Sequence, residues 1–169
     1  MVKVYLRDMY YVIDKPALLE SIKEEVSVVA DAAYTEDGTS LYDLVMVTAR
    51  DKHLLENYID DAVNQFVRRA YDITKPSPDV HYHLDEGGNT TDQVAYVIPR
   101  LEFHVPDFDT TMTGELKWEL DRYIVLFACS AIFQQRRATL VPEYSNRTQT
   151  AMDKSITLLK SRKNPITQW

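Results

Sequence analysis

The sequence is poor in residues that cross-link or bend a chain. Its 169 residues include a single cysteine and four glycines. One cysteine excludes an internal disulfide, so the fold must depend on the burial of apolar groups, and a reducing compartment is the simplest interpretation. That cysteine, Cys129, lies within an apolar stretch, which predicts a buried and unreactive thiol.

Long apolar runs are also missing. The longest runs from Ile124 to Cys129, whereas a helix needs roughly 20 apolar residues to cross a bilayer. The N-terminus carries Lys3, Arg7 and Asp8 among its apolar residues, unlike a secretory signal peptide. We therefore expect a protein that is not secreted and has no membrane partner.

Short motifs of catalysis or phosphate binding are absent too. The sequence has no glycine-rich phosphate loop, no GxSxG, no CxxC and no HExxH. Carboxylate pairs such as Glu115 with Glu119 fall on predicted helix surfaces or loops, where solvated side chains are the expected state. These observations predict a protein that is not an enzyme and that binds no cofactor.

His81 and His83 form the one arrangement with the spacing of metal ligands. Side chains at i and i+2 of a strand point to the same face, a geometry that zinc sites use. A third ligand would come from His104, Asp85 or Glu86. Strand alternation alone explains the histidines as an exposed face, so we predict no metal. An enzyme built around this pair is the least favoured alternative.

What the sequence does contain is an uneven distribution of charge. The chain carries −7 overall, with −7 in residues 1–61, −5 in residues 62–135 and +5 in residues 136–169. An acidic body lacks the basic footprint that nucleic-acid backbones require. The polarity suits head-to-tail packing of copies, although solvation of both ends explains it equally well.

Composition and periodicity predict an α+β fold, mainly α. Apolar residues make up 45% and charged residues 27%, as in folded domains. Apolar spacings of three or four residues predict a bundle of about four helices, whereas alternating stretches predict an N-terminal strand and an inserted β-hairpin. The apolar phase shifts at Pro99, which predicts a bulge or bend there and either an edge strand or a short two-part strand. The predicted elements of this single domain, residues 1–169, are a strand at 1–13, helices at 16–33 and 44–73, a hairpin insertion at 80–105, a central helix at 113–138, a last helix at 145–163 and a tail at 164–169. The second helix starts either at Leu44 or at Asp51.

The predicted central helix is apolar nearly all the way round. Its main stripe consists of Leu116, Leu120, Ile124, Phe127 and Ala131. Its second flank consists of Trp118, Val125, Cys129 and Ile132. A helix of this kind must be covered on most sides. The cover comes either from the same chain or from another copy of it.

Three stretches together carry a resemblance to a known family. They are the helix LLENYIDDAVNQFVRRAYD, the apolar helix ELDRYIVLFACSAIFQQRRA, and a last helix whose start is Tyr144-Ser145-Asn146-Arg147. Their order resembles the head–tail connector (neck adaptor) proteins of tailed bacteriophages over about residues 54–163. The resemblance is one of layout and not of a diagnostic motif. Residues 1–43 and the larger hairpin depart from the shorter members of that family.

The resemblance implies a structural virion protein located in the virion neck. Copies would form a ring, usually of twelve, that joins the portal to the tail and allows genome passage. The implied partners are other copies of the chain, the portal protein and tail or neck proteins. Genome DNA would pass without specific binding, and an acidic lumen would suit that role because it would not retain DNA.

Candidate interface residues fall into two groups. The apolar flank of the central helix contributes Trp118, Val125 and Ile132. The basic end of the chain contributes Arg136, Arg137, Arg147, Lys160, Arg162, Lys163 and Trp169. The alternative from another class is a non-catalytic α+β regulatory or protein-binding module, monomeric or dimeric, whose hydrophobic helix is purely core.

Overall fold

The computed structural model describes residues 9–161. Its elements in chain order are β1 (Met9–Val12), α1 (Lys15–Asp31), α2 (Tyr42–Val45), α3 (Lys52–Arg69), β2 (Thr74–Pro76), β3 (Asp79–Leu84), β4 (Thr90–Ile98), β5 (Arg100–Phe103), α4 (Thr113–Arg136) and α5 (Val141–Leu159). Four long helices and two small antiparallel sheets confirm the predicted α+β class, mainly α. The predicted strand over 1–8 and the predicted tail over 164–169 lie outside the described residues.

The other three long helices pack around α4, as the apolar character of that helix predicts. α4 runs from Thr113 to Arg136, close to the predicted 113–138, and contacts α1, α3 and α5. The Tyr123 hydroxyl of α4 donates a 3.0 Å hydrogen bond to the Ala62 carbonyl of α3. Phe133 packs edge-on against Tyr144 of α5, with ring centroids 4.7 Å apart. Helix α4 is therefore the centre of the hydrophobic core.

A three-stranded sheet of order β1-β5-β2 closes one end of this core. Both outer strands pair antiparallel with β5, so Met9 and Thr74 lie opposite Phe103 from its two sides. β5 is thus a central strand, so the predicted edge strand is wrong, whereas the alternative of a short two-part strand agrees with the division into β4 and β5 at Pro99. Leu101 and Phe103 of β5 are buried and join the core. We refer to the four long helices and this sheet as the body.

Of the two starts predicted for the helix ending at residue 73, Leu44 is wrong and Asp51 lies next to the observed start, whereas the predicted end is wrong. At its start, Met46 and Thr48 are extended, and a new helix begins only at Lys52. The Asp51 carboxylate accepts a 2.7 Å hydrogen bond from the Thr48 N–H, which stabilises this new start. At its end, α3 stops at Arg69, because the following residues turn and Thr74 to Pro76 pair with β5 as β2.

The last helix begins earlier than predicted, at Val141 and not at residue 145, and it ends at Leu159 and not at 163. A start at residue 145 assumes that Pro142 breaks the chain before the helix. Pro142 instead occupies its first turn. A proline there costs little, because the first N–H groups of a helix have no partner within the helix.

The predicted hairpin over 80–105 divides at Pro99 into two separate structures. β3 and β4 pair only with each other, and β5 leaves them to enter the sheet of the body. The predicted bend at Pro99 therefore lies between two sheets. Its carbonyl accepts a 2.9 Å hydrogen bond from the Ile13 N–H, which fixes this junction to the start of α1.

Candidate subunit interface

The two-stranded sheet and its turn, residues 79–98, form a projection that we call the arm. Its tip is a polar turn in which the Asp85 carboxylate accepts a 2.7 Å hydrogen bond from the Asn89 N–H. This bond holds the pKa of Asp85 below its usual value. Gly88 has a φ of 79°, a conformation that side chains rarely adopt. The hydrogen bond and the glycine therefore define the backbone conformation of the tip.

One face of the arm is apolar and exposed. Val80 lies opposite Val97, and Tyr82 lies opposite Val94, so these side chains share a face with each other. The exposed fractions of the five apolar side chains on this face range from 37% to 68% for Val80, Val97, Tyr82, Val94 and Leu84. None of them belongs to the hydrophobic core or packs against it. The described part of the chain leaves this face uncovered.

The opposite face of the arm carries the candidate metal ligands. The His81 ring stacks on Tyr96, with centroids 4.2 Å apart, and its Nε2 lies 3.6 Å from an Asp79 carboxylate oxygen. The His83 side chain is exposed. Among residues 9–161, no group of three or more His, Cys, Asp or Glu side chains is arranged to hold a metal. Stacking on Tyr96 accounts for the position of the His81 ring, whose Nε2 has no hydrogen-bond partner within residues 9–161. The absence of a metal stays a prediction.

The base of the arm is fixed to the body. The Arg100 guanidinium donates to the Asp79 carboxylate at 3.1 Å and to the Ser77 carbonyl at 2.9 Å. The same guanidinium lies 4.2 Å from the centre of the Tyr10 ring. These contacts join the start of β3 to the sheet of the body. The apolar face of the arm is thus presented from a fixed base.

The second flank of α4 proves to be mixed. Trp118 is 57% exposed, and Val125 is half-buried. Ile132 and Cys129 are buried by their own chain, so the prediction of Ile132 as an interface residue is wrong. Burial also raises the pKa of the Cys129 thiol, as predicted for an unreactive cysteine. Only the first half of this flank is open to a partner.

The predicted basic interface residues on the described helices are mostly held within the chain. Arg136 bonds to Asp51 and to the Met46 carbonyl, each at 2.6 Å. Arg137 donates to the Val29 carbonyl, at 3.4 Å.

Arg147 lies 3.1 Å from Glu25 and packs over the ring of Tyr144. These contacts explain the positions of three predicted interface arginines inside one subunit. Lys160 is exposed. Arg162, Lys163 and Trp169 lie outside the described residues.

Glu119 was expected to be solvated, and the structure corrects that expectation. Its side chain is buried, with the Lys154 ammonium 3.2 Å from one carboxylate oxygen and the Arg122 guanidinium 3.9 Å from the other. These contacts tie α5 to the first half of α4. A carboxylate with two cationic partners needs no catalytic explanation.

The exposed face of the arm is the feature that sequence analysis missed. The alternation of Val80, Tyr82 and Leu84 indicated a half-buried strand, because alternation normally marks a sheet packed on one side. Pro99 is the one sequence feature that indicates the arm. The alternation of apolar and polar residues shifts by one position there, which separates the strands of the arm from the core strand β5.

Comparisons with known proteins identify no relative. No protein-family model matches the chain, and no characterised protein or solved structure is similar to it. Within residues 9–161, no helix is long and apolar enough to cross a membrane. Function therefore has to be argued from the geometry of this chain and from its layout.

Proposed function

We propose that the protein is a subunit of a ring-forming head–tail connector that joins a portal to a tail in a bacteriophage virion. The observation that carries the proposal is the apolar face of the arm. An isolated two-stranded hairpin is at best marginally stable in water, and a contiguous exposed apolar patch marks a contact surface. A neighbouring subunit would supply the missing cover.

A ring requires two different surfaces on each subunit, because heterologous contacts close by rotation. The arm is one such surface. The opposite surface would be an exposed part of the neighbouring body.

The distribution of acidic groups is compatible with genome passage. Exposed carboxylates lie on the outer faces of α1 and α3, at Glu20, Glu24, Asp31, Asp60 and Asp61. Glu20 pairs with Lys23 and Asp60 with Lys15, which leaves Glu24, Asp31 and Asp61 as the carboxylates of this set without an ion pair within residues 9–161. A negatively charged surface repels the phosphate backbone and does not displace the counterions that surround DNA. A channel with such walls would let DNA slide through without holding it.

Co-purification with the portal protein from the same genome tests the proposal. Tagged portal should retain several copies of the untagged chain per portal ring. The triple variant Val80→Thr, Val94→Thr and Val97→Thr keeps β-branched residues in the strands but removes apolar surface. It should be retained in smaller amounts. Leu44→Thr is the matched control, since Leu44 is an exposed apolar residue on α2, outside the arm.

Two results would overturn the connector. One is a chain that binds no portal, tail or neck protein and stays monomeric at high concentration. The other is a stable dimer that binds none of these components, a result that favours the regulatory or protein-binding module instead. Retention of the triple variant at the level of Leu44→Thr would show that the arm is not the contact surface.

A further inference from the structure

A groove lies between α1 and the first half of α4. We call it the α1–α4 groove, and its volume is about 420 Å³. Val28 of α1 and Trp118 of α4 contribute its apolar surface, with exposed fractions of 68% and 57%. Val125 continues this surface along α4. Two large apolar side chains facing each other across a groove predict an occupant with apolar side chains of its own.

The lining of the groove is acidic. Glu24, Glu25 and Asp121 contribute three carboxylates, against the single guanidinium of Arg122. Arg122 is already engaged, since it lies 5.1 Å from the Trp118 ring centre and 3.9 Å from the buried carboxylate of Glu119. Among the three carboxylates, Glu25 pairs with Arg147 and Asp121 pairs with Lys117, whereas Glu24 is exposed and has no ion pair within residues 9–161. The occupant should therefore be basic as well as apolar.

The C-terminal segment of this chain has that composition. Residues 162–169 read RKNPITQW, and Lys160 precedes them. The stretch from Lys160 to Trp169 contains three cationic residues and no carboxylate side chain, with Ile166 and Trp169 as its large apolar residues. Its charge and its apolar content both complement the α1–α4 groove.

The segment starts within reach of the groove. The Ser161 carbonyl accepts a 3.4 Å hydrogen bond from the Asp109 N–H, just before the start of α4. The ion pair of Lys154 with Glu119 places the same end of α5 beside the residue that follows Trp118. Eight extended residues span roughly 26–29 Å. That length exceeds the width of α4, which is about 10–12 Å for a helix with its side chains.

We propose that residues 162–169 dock into the α1–α4 groove of their own chain. Ile166 and Trp169 cover Val28 and Trp118, while Arg162 and Lys163 face the acidic lining. The tether raises the effective concentration of the segment to the millimolar range, so modest contacts are sufficient. This docking stands independently of the connector proposal.

Disulfide trapping in the full-length chain tests the docking. Val28→Cys with Gln168→Cys should form an intramolecular disulfide on mild oxidation, detected by mobility on non-reducing gels and by peptide mapping. Gln149→Cys with Gln168→Cys is the matched control, because Gln149 lies on a different groove between α3, α4 and α5. The control pair should stay reduced, and native Cys129 is buried and should not interfere.

The cross-linking results distinguish docking of the segment within one chain from docking by a second copy. Equal or absent cross-linking in the two pairs would overturn the proposal. Mixing the single variants Val28→Cys and Gln168→Cys tests a second copy as occupant. A disulfide between the two chains in that mixture, without the intramolecular product in the double variant, would overturn docking within one chain.

Tryptophan quenching gives a second, independent measurement. The chain has two tryptophans, so Trp169→Phe leaves Trp118 as the sole reporter. The double variant Ile166→Ser with Trp169→Ser does the same but removes the apolar groups of the segment. Acrylamide should quench Trp118 more strongly in the double variant. Equal quenching in the two full-length variants would contradict the docking.

Discussion

The body and the arm use the same kind of strand sequence with opposite results. β5 of the body alternates Leu101 and Phe103 with polar residues, and β3 of the arm alternates Val80, Tyr82 and Leu84 in the same way. The body buries both of its residues, whereas the arm exposes all three. The two strands differ in the strands that flank them. β5 has a strand on each side and contributes to the core, but β3 pairs with β4 alone.

The apolar residues of the body and of the arm therefore stabilise different states, the folded single chain and the complex with a partner. Apolar burial in the body stabilises the single folded chain, at roughly 25 cal/mol for each Å² removed from water. The apolar face of the arm adds little to that state, because it stays in contact with water. This face would stabilise a complex in which a partner covers it. Substitutions in the two regions should therefore separate folding from association.

The largest expected effect is in the body. Phe133→Ala should lower the free energy of unfolding by about 3–5 kcal/mol, because the ring is fully buried against Tyr144 and leaves a cavity. Urea denaturation followed by circular dichroism measures the change. Tyr82→Ala in the arm is the control and should change the same quantity by less than about 1 kcal/mol. Equal losses in the two variants would remove the distinction between body and arm.

A smaller effect is expected where α4 holds the segment before α3. Arg136→Ala should lower the free energy of unfolding by about 1–3 kcal/mol, because the Met46 carbonyl and the Asp51 carboxylate both lose a half-buried donor. Thermal unfolding of the wild type and of Arg136→Ala measures this loss of stability. An unchanged melting temperature would mean that this ion pair does not stabilise the body.

The same contact predicts a pH dependence. The Thr48 N–H and the Arg136 guanidinium hold the pKa of Asp51 below its ordinary value. A lowered folded-state pKa contributes stability above the unfolded pKa, near 4, and that contribution is lost as the pH falls through the folded pKa. Wild-type stability should thus fall on acidification below about pH 4. Asp51→Asn should show a shallower fall, and an identical pH profile would contradict the assignment.

Sequence patterns predicted the long helices because their apolar periodicity persists over many turns. Helix α4 follows the prediction to within a few residues, since its apolar character allows no other element. The stripe assigned to its core was less accurate, because Phe127 is only half-buried while Ile132 and Phe133 are buried. Periodicity identifies an apolar helix but does not show which neighbour covers each side.

The ends of elements and the exposed arm depended on contacts that local sequence does not contain. α3 starts at Lys52 because Thr48 and Asp51 cap the 3-10 turn Ala49–Asp51 that leads into it, and because Arg136, distant in sequence, holds Met46. The candidate site was missed for the same reason. Alternation at Val80 and Tyr82 indicates a strand, but only the tertiary structure shows that nothing in residues 9–161 covers it.

The smallest expected effect concerns the candidate metal ligands. His81→Ala with His83→Ala should change the free energy of unfolding by less than about 1 kcal/mol, the stacking on Tyr96 being the main loss. Added zinc should not alter the melting temperature of the wild type. A zinc-dependent rise that the double variant lacks would establish a metal site in the arm.

The central claim is that a second copy of the chain covers the apolar face of the arm. Analytical ultracentrifugation of the chain mixed with portal protein tests it most directly, with the triple variant Val80→Thr, Val94→Thr and Val97→Thr run beside the wild type and Leu44→Thr. The account predicts a ring of several copies on the portal for the wild type and for Leu44→Thr. It predicts monomers or incomplete assemblies for the triple variant, at unchanged thermal stability. Identical assemblies for all three chains would contradict it.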